Sequence, residues 1–322
     1  MKTAFTTSPR QMEMRDVPEP TPGPDEALLR VEAVGICGSD LHFYLGDNPY
    51  STYPQTQGHE ICGVIEGFGG PYTGPLKVGQ RVCVEPLRPC GTCYPCRHGR
   101  PNCCTRLQVL GIHIPGGLAE RYAVRTANLY AAGDLDRELT ALVEPVSIGL
   151  HAVTRGQVGA DDTVVVFGAG PIGQAVLLAA ADRGARVLVV DASREDTAAA
   201  IADWTDGDGA AVVFEATGVP AVVRLAVDVV AASGRIVIVG ISTQDVAIPM
   251  IAFTRKELNV LGSRNNVGVF GEAVELVRRN RGRARALITH RYPLERVPEA
   301  IEFALEHPTE AEKVMILVGG GA

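Results

Sequence analysis

The sequence lacks cysteine after position 104, although eight cysteines lie between Cys37 and Cys104. It also lacks an excess of positive charge, because 30 Lys and Arg against 37 Asp and Glu give a formal net charge of −7. A negative balance disfavours nucleic acid and anionic membranes as general partners. We therefore expect a small-molecule substrate, with no nucleic-acid or membrane partner.

Long apolar runs are absent as well. No stretch approaches the ~18 apolar residues of a transmembrane helix, and the N-terminal segment has no apolar region of signal-peptide length. These absences predict a cytoplasmic protein. In a reducing compartment, clustered cysteines bind metal more often than they form disulfides, so the uneven cysteine distribution indicates a metal site.

The length of 322 residues predicts two domains, each large enough to bury its own core. Residues 1–148 contain short β-type runs separated by Gly and Pro, which predicts an irregular, mostly β domain. In residues 149–266, apolar strands alternate with Ala-rich helical segments, as in a doubly wound parallel sheet covered on both faces. Residues 267–322 return to a mixed pattern. The predicted fold class is therefore α/β.

A glycine-rich motif, Gly168–Gly173, follows a predicted strand and opens a predicted helix. Its glycines permit a tight turn, close approach of the backbone to a pyrophosphate and close helix packing, as in dinucleotide-binding folds. Asp191 follows 18 residues after Gly173, near the position expected for the acid that binds the adenosine ribose. Because a carboxylate repels a 2′-phosphate, Asp191 favours NAD over NADP.

Further cofactor contacts are expected from residues that follow the later strands. Arg194 could weaken the preference for NAD or be a solvated side chain, and Arg264 is equally compatible with a ligand contact and with solvation. The predicted cofactor-binding residues are Gly168, Gly170, Pro171, Ile172, Gly173, Asp191, Arg194, Thr217, Val239, Gly240 and Arg264.

The stretch after Asp191 is short. Only 19 residues separate Asp191 from the next predicted strand at Ala211, which is enough for one helix and its loops. A six-stranded nucleotide-binding sheet would place two helices and a further strand there. Five strands are therefore predicted, so that either the sheet is one strand short or the sequence omits a segment near Ser193.

Cys90, Cys93, Cys96 and Cys104 have the spacing C-x2-C-x2-C-x7-C within a lobe at residues 88–106. Four thiolates so close together suit a closed tetrahedral zinc site, which stabilises a loop too small to have a core of its own. Cys103 competes with Cys104 for the fourth position, because neighbouring cysteines rarely both bind one metal.

A second metal site is indicated by Cys37, by His59 and Glu60, and by Glu144, which precedes a proline and is expected in extended backbone. A thiolate, an imidazole and a carboxylate leave zinc an open position for water or substrate. A second carboxylate would make the ligand shell net anionic, so Glu60 and Glu144 could alternate on the metal. Taken singly, each residue could equally be a core or surface side chain.

These motifs together resemble the zinc-dependent medium-chain alcohol dehydrogenase superfamily over essentially the whole chain. The resemblance is carried by GICGSDLHFY, GHE, the four-cysteine lobe, VEPVSIGLHAV, VVVFGAGPIG, EATG and ITHRYPL. Glu144, where other members have a cysteine, is similar to the polyol (sorbitol), sugar and threonine dehydrogenase branch. The resemblance implies a GroES-like catalytic domain from residues 1–148 and 267–322, with a Rossmann-type NAD-binding domain inserted at 149–266.

The resemblance also implies roles for individual residues. Catalytic zinc would be held by Cys37, His59 and either Glu60 or Glu144, and structural zinc by Cys90, Cys93, Cys96 and Cys104. Asp40 would orient a zinc ligand, Ser39 would be the hydroxyl of a proton relay, and His42 would be the outer histidine that exchanges protons with water.

The expected function is oxidation of a secondary alcohol of a polyol, sugar or sugar acid, with zinc and NAD as cofactors. One alternative is an L-threonine or small-alcohol dehydrogenase. An alternative of another class is a non-catalytic protein that uses the zinc lobe for binding. The resemblance further implies a homo-dimer or homo-tetramer.

Overall fold

The computed structural model describes residues 1–191 and 196–319, which form two units. Unit 1 comprises Met1–Glu144 and Phe270–Ala322, and unit 2 comprises Pro145–Val269. Unit 1 is therefore assembled from both ends of the chain, and unit 2 is inserted between them. None of the helices among the described residues has the length and apolar character needed to cross a membrane.

The strands are β1 Lys2–Ser8, β2 Gln11–Asp16, β3 Glu26–Gly35, β4 Glu60–Phe68, β5 Arg81–Val84, β6 Leu87–Arg88, β7 Gln108–Val109, β8 Arg121–Arg125, β9 Leu129–Ala131, β10 Thr163–Phe167, β11 Arg186–Val190, β12 Ala210–Glu215, β13 Val230–Ile238, β14 Asn259–Gly262, β15 Ile288–Pro293 and β16 Lys313–Leu317. The helices are α1 Gly38–Leu45, α2 Tyr94–Arg97, α3 Arg137–Ala141, α4 Val143–Arg155, α5 Pro171–Asp182, α6 Thr197–Trp204, α7 Pro220–Val229, α8 Met250–Lys256, α9 Phe270–Arg279, α10 Arg281–Ala286 and α11 Val297–Glu306. Short 3-10 turns occur at Pro101–Cys103, Thr126–Asn128 and Leu294–Arg296.

Unit 1 is built on a seven-stranded sheet with the order β15-β16-β3-β4-β5-β9, in which β8 also pairs with β3. Strand β3 is an inner strand of this sheet, and its apolar side chains, such as Leu29 and Val31, are buried. It pairs antiparallel with β4, which places Gly35 opposite Glu60, and with β16, which places Gly35 opposite Met315. Three distant segments of the chain therefore meet at the end of β3.

Unit 2 is built on a parallel sheet with the order β11-β10-β12-β13-β14. Its central strands are mostly apolar, and Phe167, Phe214 and Ile236 are buried in the core. The sheet has five strands among the described residues, as predicted. In a six-stranded sheet of this type, a further strand would lie beyond β11. Here β11 forms the edge of the sheet, and α6 is the helix between β11 and β12.

One helix boundary differs from the sequence-based prediction. The Ala- and Val-rich pattern predicts a helix up to Ala232, but α7 ends at Val229 and β13 begins at Val230. The Lys256 ammonium donates hydrogen bonds to the carbonyls of Val227, Asp228 and Val230 at 2.8–2.9 Å. A cation at a helix C-terminus satisfies carbonyls that have no partner within the helix.

Replacement of Lys256 by Met should destabilise unit 2, because three carbonyls lose a charged donor. We expect the free energy of unfolding to fall by about 1–2 kcal/mol, the usual size for charge-assisted hydrogen bonds at a partly exposed site. The single tryptophan, Trp204, lies in unit 2 and reports its urea unfolding by fluorescence. The control is Lys77→Met at an exposed position of unit 1. Equal urea midpoints for the two variants would contradict the prediction.

Candidate active site and metal centres

Cys37 lies just after β3, at the N-terminus of α1. Its backbone N–H donates to Asp40 Oδ2 at 2.9 Å, which caps the first turn of this short helix. Asp40 Oδ1 accepts from the backbone N–H of Gly58 at 3.2 Å, and the Gln57 amide donates to the Asp40 carbonyl at 2.7 Å. Asp40 therefore fixes the loop that carries His59 beside the loop that carries Cys37.

The first predicted metal site has a compact donor set. One ligand atom each from Cys37, His59 and Glu60 lies within 4.8 Å of the other two, and His59 and Glu60 are buried. Glu60 Oε2 has no hydrogen-bond partner among the described residues. An unpaired buried carboxylate oxygen is costly unless a cation or water binds it. The donors fit zinc with an open fourth position.

The histidine of this set lies beside a buried carboxylate. His59 Nδ1 faces Asp40 Oδ2 at 3.8 Å, which is longer than a hydrogen bond. Burial lowers the pKa of His59, but the negative charges of Asp40, Cys37 and Glu144 outweigh burial and hold that pKa well above its usual value. Burial also raises the pKa of Asp40. This excess of buried negative charge is what a divalent cation would neutralise.

Glu144 is not in extended backbone, and that expectation was wrong. It lies in the first turn of α4, where Pro145 is tolerated because the N–H it lacks would have no partner within the helix. Glu144 is buried, and burial together with the charge of Glu60 raises its pKa to about 7. Glu144 is not a member of the compact group formed by Cys37, His59 and Glu60.

Sequence reasoning missed Lys313, the first residue of β16. Its ammonium is buried and donates to Glu60 Oε1 at 2.6 Å and to the Ile36 carbonyl at 3.1 Å. Burial lowers the pKa of Lys313, but the charges of Glu60 and Cys37 outweigh it and raise the pKa. A lysine at the start of the apolar run KVMIL was the available signal, because Lys is almost never fully buried unless it is paired.

The predicted relay residues both lie on α1. Ser39 is half-buried, whereas His42 is exposed and its Nδ1 lies 2.9 Å from Asp47 Oδ1. Asp47 was not predicted as the partner of His42. An exposed imidazole beside a carboxylate can exchange protons with water.

The cysteine lobe gathers four sulfur atoms. Cys90, Cys93, Cys96 and Cys104 lie within 4.8 Å of one another, whereas Cys103 is outside this group. The Cys104 sulfur accepts from the backbone N–H groups of Cys90 and Arg106, each at 3.3 Å. Leu87, Leu107 and Val109 pack around the cluster as a small satellite core. These observations fit a closed four-thiolate zinc site.

Backbone donors in the lobe favour thiolates at two of its positions. Backbone N–H groups of Thr92 and Cys93 lower the pKa of Cys90 to about 5, and those of Cys96 and Thr105 lower the pKa of Cys93 to about 7. Burial raises the pKa of Cys96 to about 12. Zinc binding requires thiolates, so the loop lowers part of the cost of deprotonation before a metal arrives.

The glycine motif of unit 2 forms a cradle. Gly168 has a φ of +101°, which L side chains rarely adopt, and a Cβ on Gly173 would lie 1.8 Å from the Gly168 carbonyl oxygen. Gly170 precedes Pro171 at the start of α5, and a Cβ on Gly170 would meet no described atom within 4 Å. The helix N-terminus thus faces open space, as a bound pyrophosphate requires.

The other predicted cofactor residues lie mainly at the carboxyl ends of strands. Asp191 follows β11, Thr217 follows β12, and Arg264 follows β14. The backbone N–H groups of Val239 and Gly240 donate to the Glu215 carbonyl at 2.8 and 3.0 Å, so these amides are already used. Ile172 lies in the first turn of α5. Arg194 lies outside the described residues.

Family models match both units. The model for the alcohol dehydrogenase GroES-like domain matches residues 23–134, and the model for the zinc-binding dehydrogenase matches residues 180–279. The first match contains Cys37, His59, Glu60 and the four-cysteine lobe of unit 1, and the second covers most of unit 2 after the glycine motif.

Alignments with other dehydrogenases cover nearly the whole chain. L-galactonate-5-dehydrogenase of Escherichia coli is 34% identical over 94% of this chain and 94% of that protein. Sorbitol dehydrogenase of Bacillus subtilis is 31% identical over 98% of this chain and 97% of that protein. A solved zinc-binding dehydrogenase of Sinorhizobium meliloti bound to NADP has a TM-score of 0.90 and 32% identity, with 98% of each chain covered.

The GroES-like and Rossmann-type fold, the two groups of metal donors and the full-length relatives agree with one another. The chain belongs to the zinc-dependent medium-chain alcohol dehydrogenase superfamily, in its polyol dehydrogenase branch, and is an oxidoreductase.

Proposed function

We propose that the protein oxidises a secondary alcohol of a polyol, sugar or sugar acid and transfers the hydride to NAD. The observation that carries this proposal is the buried donor set of Cys37, His59 and Glu60 with one unpaired carboxylate oxygen. In this proposal the catalytic domain comprises residues 1–148 and 267–322, and the NAD-binding domain comprises residues 149–266.

The side chains of unit 1 have distinct roles in this reaction. Cys37, His59 and Glu60 would hold zinc, which when bound supplies the Lewis acidity that eases ionisation of the alcohol. Asp40 orients His59, and Lys313 holds one oxygen of Glu60 so that the other faces the metal position. Glu144 is a second buried acid beside the site, and we keep it as the alternative ligand.

The proton released by the alcohol needs a route to water. Ser39 is a half-buried hydroxyl on α1, and His42 is an exposed imidazole on the same helix. We assign Ser39 to the inner part of this route and His42, with Asp47, to its outer end.

NAD is preferred to NADP in this proposal because Asp191 follows β11, where the adenosine ribose binds in folds of this type. A carboxylate there accepts hydrogen bonds from ribose hydroxyls and repels a 2′-phosphate. The NADP found in the Sinorhizobium meliloti relative makes a direct comparison of the two cofactors necessary.

We further propose a reducing, cytoplasmic compartment and a homo-oligomer. All eight cysteines are free thiols, which suits metal binding in such a compartment. Strand β14 ends the order of the unit 2 sheet and exposes Val260, so its outer edge is available for pairing with a second copy in a dimer or tetramer.

Activity with a panel of polyols, aldonates, L-threonine and small alcohols tests the proposal. We expect NADH formation with a polyol or aldonate, a kcat/KM at least about 100-fold higher with NAD than with NADP, and about two zinc atoms per chain. If L-threonine or a small alcohol is turned over fastest, the proposed substrate class is wrong and that compound takes its place. Zinc in the lobe alone, with no dinucleotide binding, would support the non-catalytic alternative.

Removal of the relay groups should reduce turnover without loss of zinc or NAD binding. Ser39→Ala is expected to lower kcat about 100-fold or more, the usual size of general acid–base effects. His42→Ala should lower kcat about tenfold and mainly at low pH, because hydroxide replaces the imidazole as proton acceptor at high pH. His307→Ala is the matched control, since the His307 side chain is also solvent-accessible and paired with an acid, Glu310. A pH–rate profile of His42→Ala identical to that of the control would remove His42 from the relay.

The assignment of the fourth lobe ligand can be tested by zinc content. Cys104→Ser should lose about one zinc per chain, because the Cys104 sulfur lies within the four-sulfur group. Cys103→Ser is the matched control at the next residue and should keep both zinc atoms. Elemental analysis of both purified proteins distinguishes the two positions, and the opposite pattern would assign the metal to Cys103.

A further inference from the structure

One buried carboxylate in unit 2, that of Glu215, has no role in the proposed reaction. Glu215 is the last residue of β12 and is fully buried. Its Oε1 accepts three hydrogen bonds, from the Thr217 N–H at 2.6 Å, the Thr217 hydroxyl at 2.5 Å and the Gly218 N–H at 2.8 Å. Three donors on one oxygen are the environment of an ionised carboxylate.

The second oxygen of Glu215 has no such partners. Within the described ranges 1–191 and 196–319, Oε2 accepts no hydrogen bond and Glu215 forms no ion pair. A Cβ on Gly240 would lie 2.6 Å from Oε2 and 2.1 Å from the Gly218 nitrogen, so only glycine fits there. The carboxylate is thus enclosed by the turns that end β12 and β13, and its negative charge has no described cation to neutralise it.

Glu215 lies where dinucleotides bind in folds of this kind. Strands β10 and β12 are neighbours in the sheet. From β10 the chain continues to β11 on one side of this pair, and from β12 it continues to β13 on the other side of the pair. Dinucleotides bind across this switch point, with the adenosine half beside the acid after the second strand. Because Asp191 marks that half, Glu215 belongs to the nicotinamide half of the site.

The carboxylate also shapes the glycine turn. A Cβ on Gly168 would lie 3.0 Å from Thr217 Cγ2, so Thr217 packs directly against the turn that faces the pyrophosphate. Both donors of Thr217 are held by Glu215 Oε1. The position of Thr217, and with it one wall of the cradle, therefore depends on Glu215.

Charge then distinguishes the two forms of the cofactor. The nicotinamide ring carries a positive charge in NAD⁺ and none in NADH, while the rest of the molecule is the same. A buried, uncompensated carboxylate on that side of the sheet attracts the cationic ring through a medium of low polarity. For any two opposite unit charges about 10 Å apart at an effective dielectric constant of about 20, Coulomb attraction corresponds to an affinity factor on the order of ten.

We propose that Glu215 is a positioning residue that holds the Thr217–Gly218 turn against Gly168, and that its buried charge strengthens the binding of oxidised relative to reduced nicotinamide. The inference rests on the proposed use of NAD. It assigns to Glu215 a role in cofactor discrimination that is separate from the metal chemistry of unit 1.

The test is the dissociation constants of NAD⁺ and NADH, measured by calorimetry and by NADH fluorescence on the zinc-loaded protein. In Glu215→Gln, which keeps an acceptor oxygen but removes the charge, the ratio Kd(NAD⁺)/Kd(NADH) should rise about tenfold. In Thr217→Val, which removes the hydroxyl donor but keeps the charge, both Kd values should rise by a similar factor. Glu257→Gln removes an exposed charge from the same unit and should leave both constants unchanged.

The outcomes below test the inference and the proposed function separately. A ratio in Glu215→Gln within about twofold of the wild type would overturn the inference, as would unchanged constants in Thr217→Val. If Glu215→Gln does not fold, Glu215→Asp keeps the charge but shortens its reach to the three donors. It should weaken both dinucleotides at a constant ratio, and unchanged constants there would equally overturn the inference. A wild-type protein that binds neither dinucleotide would instead contradict the proposed function.

Discussion

The pairing of β3 with both β4 and β16 is the constraint on which the catalytic unit depends. It places the end of β3 beside Glu60 from the middle of the first segment and beside Lys313 from the last strand. The Lys313–Glu60 contact joins residues 253 positions apart in a fully buried environment. Breaking a buried pair leaves an uncompensated charge, which typically costs about 3–5 kcal/mol. The second chain segment is therefore part of the metal site as well as of the sheet.

Negative charge is concentrated around this site. The need to neutralise that charge explains why these side chains are grouped together. Asp40, Glu60 and Glu144 are buried close to Cys37, and among the described residues Lys313 and His59 provide the neighbouring positive charge. Burial raises the pKa of Glu144, and the charge of Glu60 raises it further, while the neighbouring negative charges raise the pKa of His59 against the effect of its burial. A zinc ion would remove much of the excess, so the electrostatics of the site and its ligand chemistry have the same explanation.

Among the described residues, the sheet of unit 2 differs from a six-stranded nucleotide-binding sheet at its β11 edge. The missing strand would lie beyond β11, at the edge, whereas the neighbouring pair β10 and β12 forms the switch point. The glycine turn and Asp191 follow strands that are present, and Glu215 is the last residue of another such strand. Shortening the sheet at its edge therefore leaves the binding edge in place, although it leaves β11 without an outer strand.

Local patterns in the sequence determined much of this protein. The spacing of Cys90, Cys93 and Cys96, the turn Gly168–Gly173 and the apolar strands of unit 2 are short-range features, because loop geometry and strand burial act over a few residues. The count of five strands could be predicted from the 19 residues after Asp191. Pro145 was misread because a proline after Glu144 suits either extended backbone or the first turn of a helix.

Only the tertiary structure decided which charges meet. Lys313 and Glu60 are brought together by the register of β16 on β3, and no local pattern specifies a contact across 253 residues. The same holds for Glu215. Its sequence neighbours supply its donors, but its burial, with no counter-ion in the described part of the chain, depends on the packing of β12 and β13. Residue types and spacing determine the chemistry that is available, whereas charge balance depends on distances that only the folded chain sets.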